Sequence, residues 1–296
     1  MSSFANLKRQ SGNLDKLTKA IESLNASSGD ENKDLFWKPS VDKAGNGMAT
    51  VRFLPASEGD GDESLPWVKI FSHGFQGPGG WLIDNCLTTK NQQCPVCEHN
   101  SVLWNSGVKA NRDIVSKQKR KLNYITNVYI VSDPKNPENE GKVKLFKFGA
   151  KIFDKITEAM NPQFEDETAI NPFDMWKGAN FKIKIRKVEG YQNYDKSEFE
   201  AAAPLSTNDE ELEKIWKTEH TLKSLVTDKE FKSYDDLKNR LEKVLGLNGE
   251  VVAPKTTVET IKAEARANPT KFATKEPELV GDDDDMAYFS KLAEEE

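Results

Sequence analysis

The chain is short of cysteine and histidine, with three of each in 296 residues. All three cysteines fall between positions 86 and 97. An odd, tightly clustered set is no disulfide framework; it reads as a metal site in a reducing compartment. Long apolar runs are missing too. No stretch approaches the roughly 18–20 residues of a membrane-crossing helix. The opening Met1-Ser-Ser-Phe-Ala-Asn-Leu-Lys-Arg9 holds no apolar core of a secretory signal, so neither membrane insertion nor export is expected. There is no G-x-x-x-x-G-K-[ST], no H-E-x-x-H, no G-x-S-x-G and no G-x-G-x-x-G, so the common nucleotide, zinc-protease and hydrolase sites are not expected. A zinc deaminase would need an open metal position, a H-x-E and a P-C-x-x-C. No H-x-E occurs, and Gln93 precedes Cys94. The chain is not expected to be an enzyme.

Aromatics are plentiful, with 15 Phe, 6 Trp and 6 Tyr, enough for a packed core although 30% of residues are charged. The formal charge of −6 is unevenly spread. Residues 275–296 carry nine acids and two bases, which leaves 40 bases and 39 acids in the other 274 residues. A near-neutral body with an acidic tail is compatible with a polyanion partner.

Residues 1–30 are rich in Ser, Asn and Gly but place Leu7, Leu14, Leu17, Ile21 and Leu24 on one helical face, with Asn13 as N-cap. That stripe packs either on the chain's own core or on a neighbour. From Phe36 to Val188 the pattern is mainly β. Met48–Leu54, Trp67–Phe71, Leu122–Val131, Val143–Phe148 and Phe181–Val188 predict five strands, and Ala150–Met160 an inserted helix. The set fits a small Greek-key barrel of the OB type, with a plain β-sandwich as the alternative. Two helices are predicted over 209–217 and 234–245, where His220 reads as a surface residue, and 248–296 reads as linker and disordered tail.

The strongest chemical signal is His73, Cys86 and the Cys94-Pro-Val-Cys97 knuckle. Three thiolates and one imidazole with no carboxylate suit a tetrahedral, structural zinc ion. Gly74, Gly77, Gly79 and Gly80 are expected to give the intervening loop freedom to wrap it. Three ordinary buried thiols, a C-x-x-C redox pair and His99 as rival ligand are the alternatives. A second constellation is basic. Lys109, Arg112, Lys117, Lys119, Arg120 and Lys121 lead into a strand bearing Tyr124. Lys182, Lys184 and Arg186 alternate with Phe181, Ile183 and Ile185, so the charges share one face. Gly190-Tyr-Gln-Asn-Tyr194 follows. Cations neutralise phosphates and aromatic rings stack on any base, the requirement of a sequence-neutral single-strand binder.

These stretches resemble the single-stranded DNA-binding, helix-destabilising proteins of T-even-type tailed bacteriophages. The likeness runs through Asn46-Gly47, Val51-Arg-Phe-Leu-Pro55, His73-Gly-Phe75, Cys94-Pro-Val-Cys97, Lys119-Arg-Lys121, Asp133-Pro134, Pro137–Val143, Trp176–Phe181 and Gly190–Asp195. The resemblance implies a non-enzymatic protein that coats single strands cooperatively in phage replication, recombination and repair, in the cytoplasm of the infected bacterium. It implies an OB-fold core (31–247) with a zinc subdomain (about 56–125) and DNA in the basic cleft between them. Tyr124, Phe146, Tyr191 and Tyr194 are implied to face DNA, with Trp104 adding a ring. The arm (1–30), through Lys8, Arg9 and Ser11, is implied to dock on the adjacent protomer. The tail (248–296), with Asp282, Asp283, Asp284, Asp285 and Phe289, is expected to contact replication and recombination proteins. Binding of its own messenger RNA is a further implied partnership.

Overall fold

In a computed structural model the chain divides into a unit of residues 1–38 and a unit of residues 39–296. The structure describes residues 34–247 apart from 62 and 165, so the arm and the acidic tail lie outside the described residues. The described part of the first unit carries a two-residue strand, β1 (Phe36–Trp37).

In the second unit β2 (Gly47–Phe53), β3 (Trp67–Gly77) and β4 (Gly80–Asn85) come first, followed by helices α1 (Pro95–Asn105) and α2 (Lys109–Gln118). Then come β5 (Lys121–Ser132), β6 (Val143–Phe148), α3 (Ala150–Met160), β7 (Phe181–Val188), β8 (Tyr191–Asn193) and β9 (Glu198–Phe199). Helices α4 (Asp209–Lys217) and α5 (Tyr234–Leu245) close the described chain. The five expected strands are present, β3 longer than foreseen. Helices α1 and α2 were not expected. The first of them starts at Pro95, whose fixed φ and missing N–H suit the first helical position.

The sheet is antiparallel and runs β6-β5-β2-β7-β8, with β3 also on β5, β4 on β3 and β9 on β7. Strand β5 is the hub. Its first half pairs with β3 (Lys69↔Tyr124) and its second half with β2 (Phe53↔Val128), while β6 runs along its other edge. The path is open: among the described residues no pairing closes it into a barrel. Phe53 lies at the centre of an aromatic core, 5.6–6.1 Å from the rings of Phe148, Phe173, Phe181 and Phe199. Each such ring contributes about 1.5–3 kcal/mol by leaving water.

The C-terminal segment straps the two ends of this unit together. Near β2, Leu212 packs with Leu54 and Met175, and Trp216 Nε1 donates to the Ala56 carbonyl at 3.0 Å. The chain is then clamped to β5. Asn127 Nδ2 donates to the His220 carbonyl at 2.8 Å, and the His220 amide returns a bond to Asn127 Oδ1 at 2.9 Å. Buried Asp60 accepts the amides of Leu222 and Lys223. His220 is therefore outside the helix and half-buried, not a helical surface residue as expected; burial lowers its pKa. Helix α5, N-capped by Ser233, then lays Leu237, Leu241 and Val244 against Phe75, Leu82 and the cysteine region.

The glycines between β3 and β4 act differently from the expectation. They belong to a hairpin, and Gly79 donates its amide to the Val244 carbonyl at 2.8 Å. A Cβ on Gly79 would collide with the Lys243 carbonyl oxygen, and one on Gly77 with that of Val244. Gly79→Ala should therefore lower stability by about 1–3 kcal/mol, measured by urea denaturation. An unchanged midpoint would show that the approach of α5 does not need a bare backbone.

Glu219 buries both carboxyl oxygens with no partner, and this burial, with Asp60 nearby, pushes its pKa from 4.5 up to about 9. The fold thus holds a proton that the unfolded chain releases above its ordinary pKa. This contribution to stability is complete below pH 4.5 and declines as pH rises towards 9. Glu219→Gln should raise the melting temperature at about pH 8 and flatten the decline from acid to alkaline pH. A variant with the wild-type pH profile would refute this.

Candidate metal centre and nucleic-acid interface

Strand β3, the end of β4 and the start of α1 supply the four metal donors. His73 projects from β3 on the same buried face as Phe75, and Cys86 follows the end of β4, its amide bonded to the Phe71 carbonyl at 2.8 Å. Cys94 is the N-cap of α1, and Cys97 sits in that helix's first turn. The four ligand atoms all lie within 4.8 Å of one another. Cys86 Sγ is 3.5 Å from Cys97 Sγ, and His73 Nε2 is 3.5 Å from Cys94 Sγ and 3.7 Å from Cys97 Sγ. A tetrahedral ion with sulfur bonds of about 2.3 Å separates its ligands by roughly 3.8 Å, so the donor set fits one metal ion. His99 is not part of the cluster.

Surrounding bonds orient these donors. His73 Nδ1 lies 3.3 Å from the Gln118 carbonyl, which also accepts from Asn100 Nδ2 at 3.1 Å. That contact leaves Nε2 facing the sulfurs. Thr88 Oγ1 contacts Cys86 Sγ at 3.1 Å and accepts from Arg120 Nη1 at 2.7 Å. Such outer contacts fix ligand orientation. Without a cation the donors perturb one another. Burial pushes the His73 pKa down, but Cys86 and Cys94 outweigh it and hold it at about 9. Hydrogen bonds from Cys86 and Cys97 draw the Cys94 thiol down, while Cys97 is driven up.

The basic residues separate into two groups. Lys109, Arg112 and Lys117 are exposed on α2, opposite its buried Val115 and Gln118. Arg112 lies over the half-buried Trp104 ring at 5.5 Å. Lys119 and Arg120 are half-buried; Arg120 covers the Phe71 ring at 4.6 Å as well as bonding Thr88. Lys121 is exposed at the start of β5. On β7 the expected alternation holds: Phe181, Ile183 and Ile185 are buried, and Lys182, Lys184 and Arg186 point outward. All three outward cations are paired with acids, Lys182 with Glu200, Lys184 with Glu198 and Arg186 with Asp195.

Two aromatics expected to face a ligand belong to the core instead. Tyr124 is 9% exposed and stacks on Phe153, ring centres 3.8 Å apart and 2° from parallel. Phe146 is 3% exposed. Tyr124 on β5 is covered by Phe153 of α3, and Phe146 on β6 packs beside Phe148, ring centres 5.3 Å apart. Tyr191 is 45% exposed at the β7–β8 turn, and Tyr194 is half-buried. Trp81, absent from the expected set, is 57% exposed on β4 beside buried Leu82. Strand alternation through Gly80-Trp-Leu-Ile83 could have found it.

A family model described as "gp32 DNA binding protein like" matches residues 45–245, a span that holds all four donors and both basic groups. The single-stranded DNA-binding protein of Enterobacteria phage T4 is 36% identical over 240 residues, 78% of this chain and 77% of that protein. The chain belongs to the gp32-like DNA-binding protein family. The single-stranded DNA-binding protein of Enterobacteria phage T2 is 38% identical over 218 residues, 71% of this chain and 70% of the T2 protein. A third relative, the single-stranded DNA-binding protein of Escherichia phage SV14, is 43% identical over 67 residues, 22% of this chain and 57% of that protein.

Because metal binding at such a centre is also folding energy, adding Zn²⁺ to chelator-stripped protein should raise its melting temperature, with one ion bound per chain. Cys94→Ser should remove the rise. The effect should weaken on acidification, since protons compete for thiolate and imidazole. A melting temperature indifferent to the ion would refute the metal centre.

Proposed function

We propose that this chain binds single-stranded DNA without regard to sequence and coats it during phage DNA replication, recombination and repair, in the cytoplasm of the infected bacterium. The observation that carries this reading is the exposed cationic face of α2, Lys109, Arg112 and Lys117, on a chain of the gp32-like family. Guanidinium and ammonium groups neutralise phosphates and release condensed counterions. Trp104, Tyr191 and Trp81 are available as stacking platforms; base stacking on such rings is indifferent to sequence. Lys119, Lys121 and Tyr194 extend the surface. Arg120 serves it indirectly, by holding the metal subdomain.

The ion we assign to His73, Cys86, Cys94 and Cys97 is zinc, since three thiolates and an imidazole suit it and a full set of four leaves no open position for chemistry. Its contribution is structural: it holds α1, and through Gln118 the end of α2, against the β3–β4 hairpin. The open sheet is read as a variant of the OB architecture. The arm, with Lys8, Arg9 and Ser11, is assigned to contact between neighbouring protomers. The acidic tail, with Asp282–Asp285 and Phe289, is assigned to replication partners and to competition with DNA for the cationic surface. The chain's own messenger RNA is a further proposed ligand.

Titrating intrinsic tryptophan and tyrosine fluorescence with poly(dT) at two salt concentrations tests the reading. The logarithm of the binding constant should fall linearly with that of salt, by about 0.7 per phosphate neutralised. Replacing Lys109, Arg112 and Lys117 together by Gln should weaken binding and reduce the slope by up to ~2. Binding that ignores salt, or that prefers duplex DNA, would overturn the proposal.

A further inference from the structure

The outward row on β7 has a partner within the chain. Lys182 Nζ is 2.8 Å from Glu200 Oε1, and Lys184 Nζ is 2.6 Å from Glu198 Oε1. Arg186 holds Asp195 with two bonds, Nε at 2.9 Å and Nη2 at 2.6 Å. Lys182, Lys184 and Arg186, which alternate along one face of the strand, are thus each matched by an acid from the single segment 195–200.

The same face carries groups that suit a nucleic acid. Directly opposed residues of an antiparallel pair share a face. Val188 opposes Tyr191, so that exposed ring lies on the side of Lys182, Lys184 and Arg186. Lys184 opposes Met48, 63% exposed, which adds apolar surface to the strip. Three cations, a ring and a thioether on one strand face are the components of single-strand recognition.

The acids have the form of a displaceable competitor. Glu198 and Glu200 are two residues apart on an extended segment. A dipeptide and a nucleotide both repeat every six backbone bonds, so carboxylates at alternate residues fall at a spacing that successive phosphates of an extended strand can match. The pairs are open to water, with cation side chains 45–48% exposed. The exposed Lys–Glu pairs are of the kind that is weak and screened by salt, while bidentate Arg186–Asp195 is the firmest of the three and Glu200 also accepts from Asn180 Nδ2 at 3.0 Å. The backbone beneath them is held separately, by Phe199 opposite Phe181 and by Ser197 Oγ accepting the Lys184 amide at 2.9 Å. The acidic side chains can therefore swing away without unfolding the segment.

We propose that Asp195, Glu198 and Glu200 form a built-in phosphate mimic that occupies the β7 cation row at rest and is displaced when a single strand extends onto it. The inference rests on the single-strand reading above. The device makes the strip a conditional part of the interface, engaged by DNA already anchored elsewhere and closed to weak polyanions.

The test compares wild type, D195N/E198Q/E200Q and a control, E138Q/E158Q/E167Q, which removes the same charge from exposed acids elsewhere, in salt titrations with an oligo(dT). The ladder variant should bind roughly tenfold tighter at low salt, and its log–log salt dependence should steepen by up to ~2, about 0.7 for each cation released. The control should show neither change in full. Adding K182Q/K184Q to the ladder variant should erase most of the gain. Equal gains in ladder and control variants, or a gain that survives K182Q/K184Q, would overturn the proposal and assign the effect to net charge. Failure of wild type to bind oligo(dT) would instead refute the single-strand reading, and the inference would fall with it.

Discussion

Four donor atoms within 4.8 Å of one another set the geometry of the α1–α2 region. A buried thiol by itself packs as a small apolar group, but three thiols and an imidazole converging on one point form an arrangement that one metal ion could hold. Its consequences spread outward through short contacts. The His73 contact reaches Gln118 at the end of α2, the Cys86–Thr88 contact reaches Arg120, and Tyr234 on α5 bonds Glu98 on α1 at 2.7 Å. The donor cluster, the packing of the helices and the end of α2 are thus linked through short contacts.

A second constraint is the strap formed by residues 209–245. It joins the aromatic core around Phe53 to the hydrophobic cluster beneath the metal donors. The Asn127–His220 clamp and Asp60 hold its middle, and Arg240 and Lys232 pair with the nearly buried Asp84 of β4 at 2.9 and 3.6 Å. Desolvation raises the Asp84 pKa against the pull of Arg240 and Lys232, so this pair fixes orientation more than it adds stability. The unpartnered carboxyl of Glu219 is a cost accepted along the same strap.

Electrostatics at the surface follows from position, not from count. The α2 bases stand in solvent with no acid of the strap against them. Lys182, Lys184 and Arg186 of β7, equally basic by composition, are each answered by a carboxylate. The near balance of charge outside residues 275–296 conceals that difference.

Much of this was legible along the chain. The strands follow from alternation, the clearest being Phe181–Arg186, and α4 and α5 follow from their caps and apolar spacing. The metal donors follow from residue type, since few other roles place three cysteines and a histidine so close together in sequence. These are local properties, decided within a few residues. Which aromatics face outward was not local. Tyr124 is buried because Phe153 of α3 folds back over β5, a contact between segments tens of residues apart. The same holds for the glycines of the β3–β4 hairpin, made necessary by the end of α5, and for the acids that pair with Lys182, Lys184 and Arg186. Periodicity states which side chains share a face; only tertiary packing decides which face meets water and which charge meets its opposite.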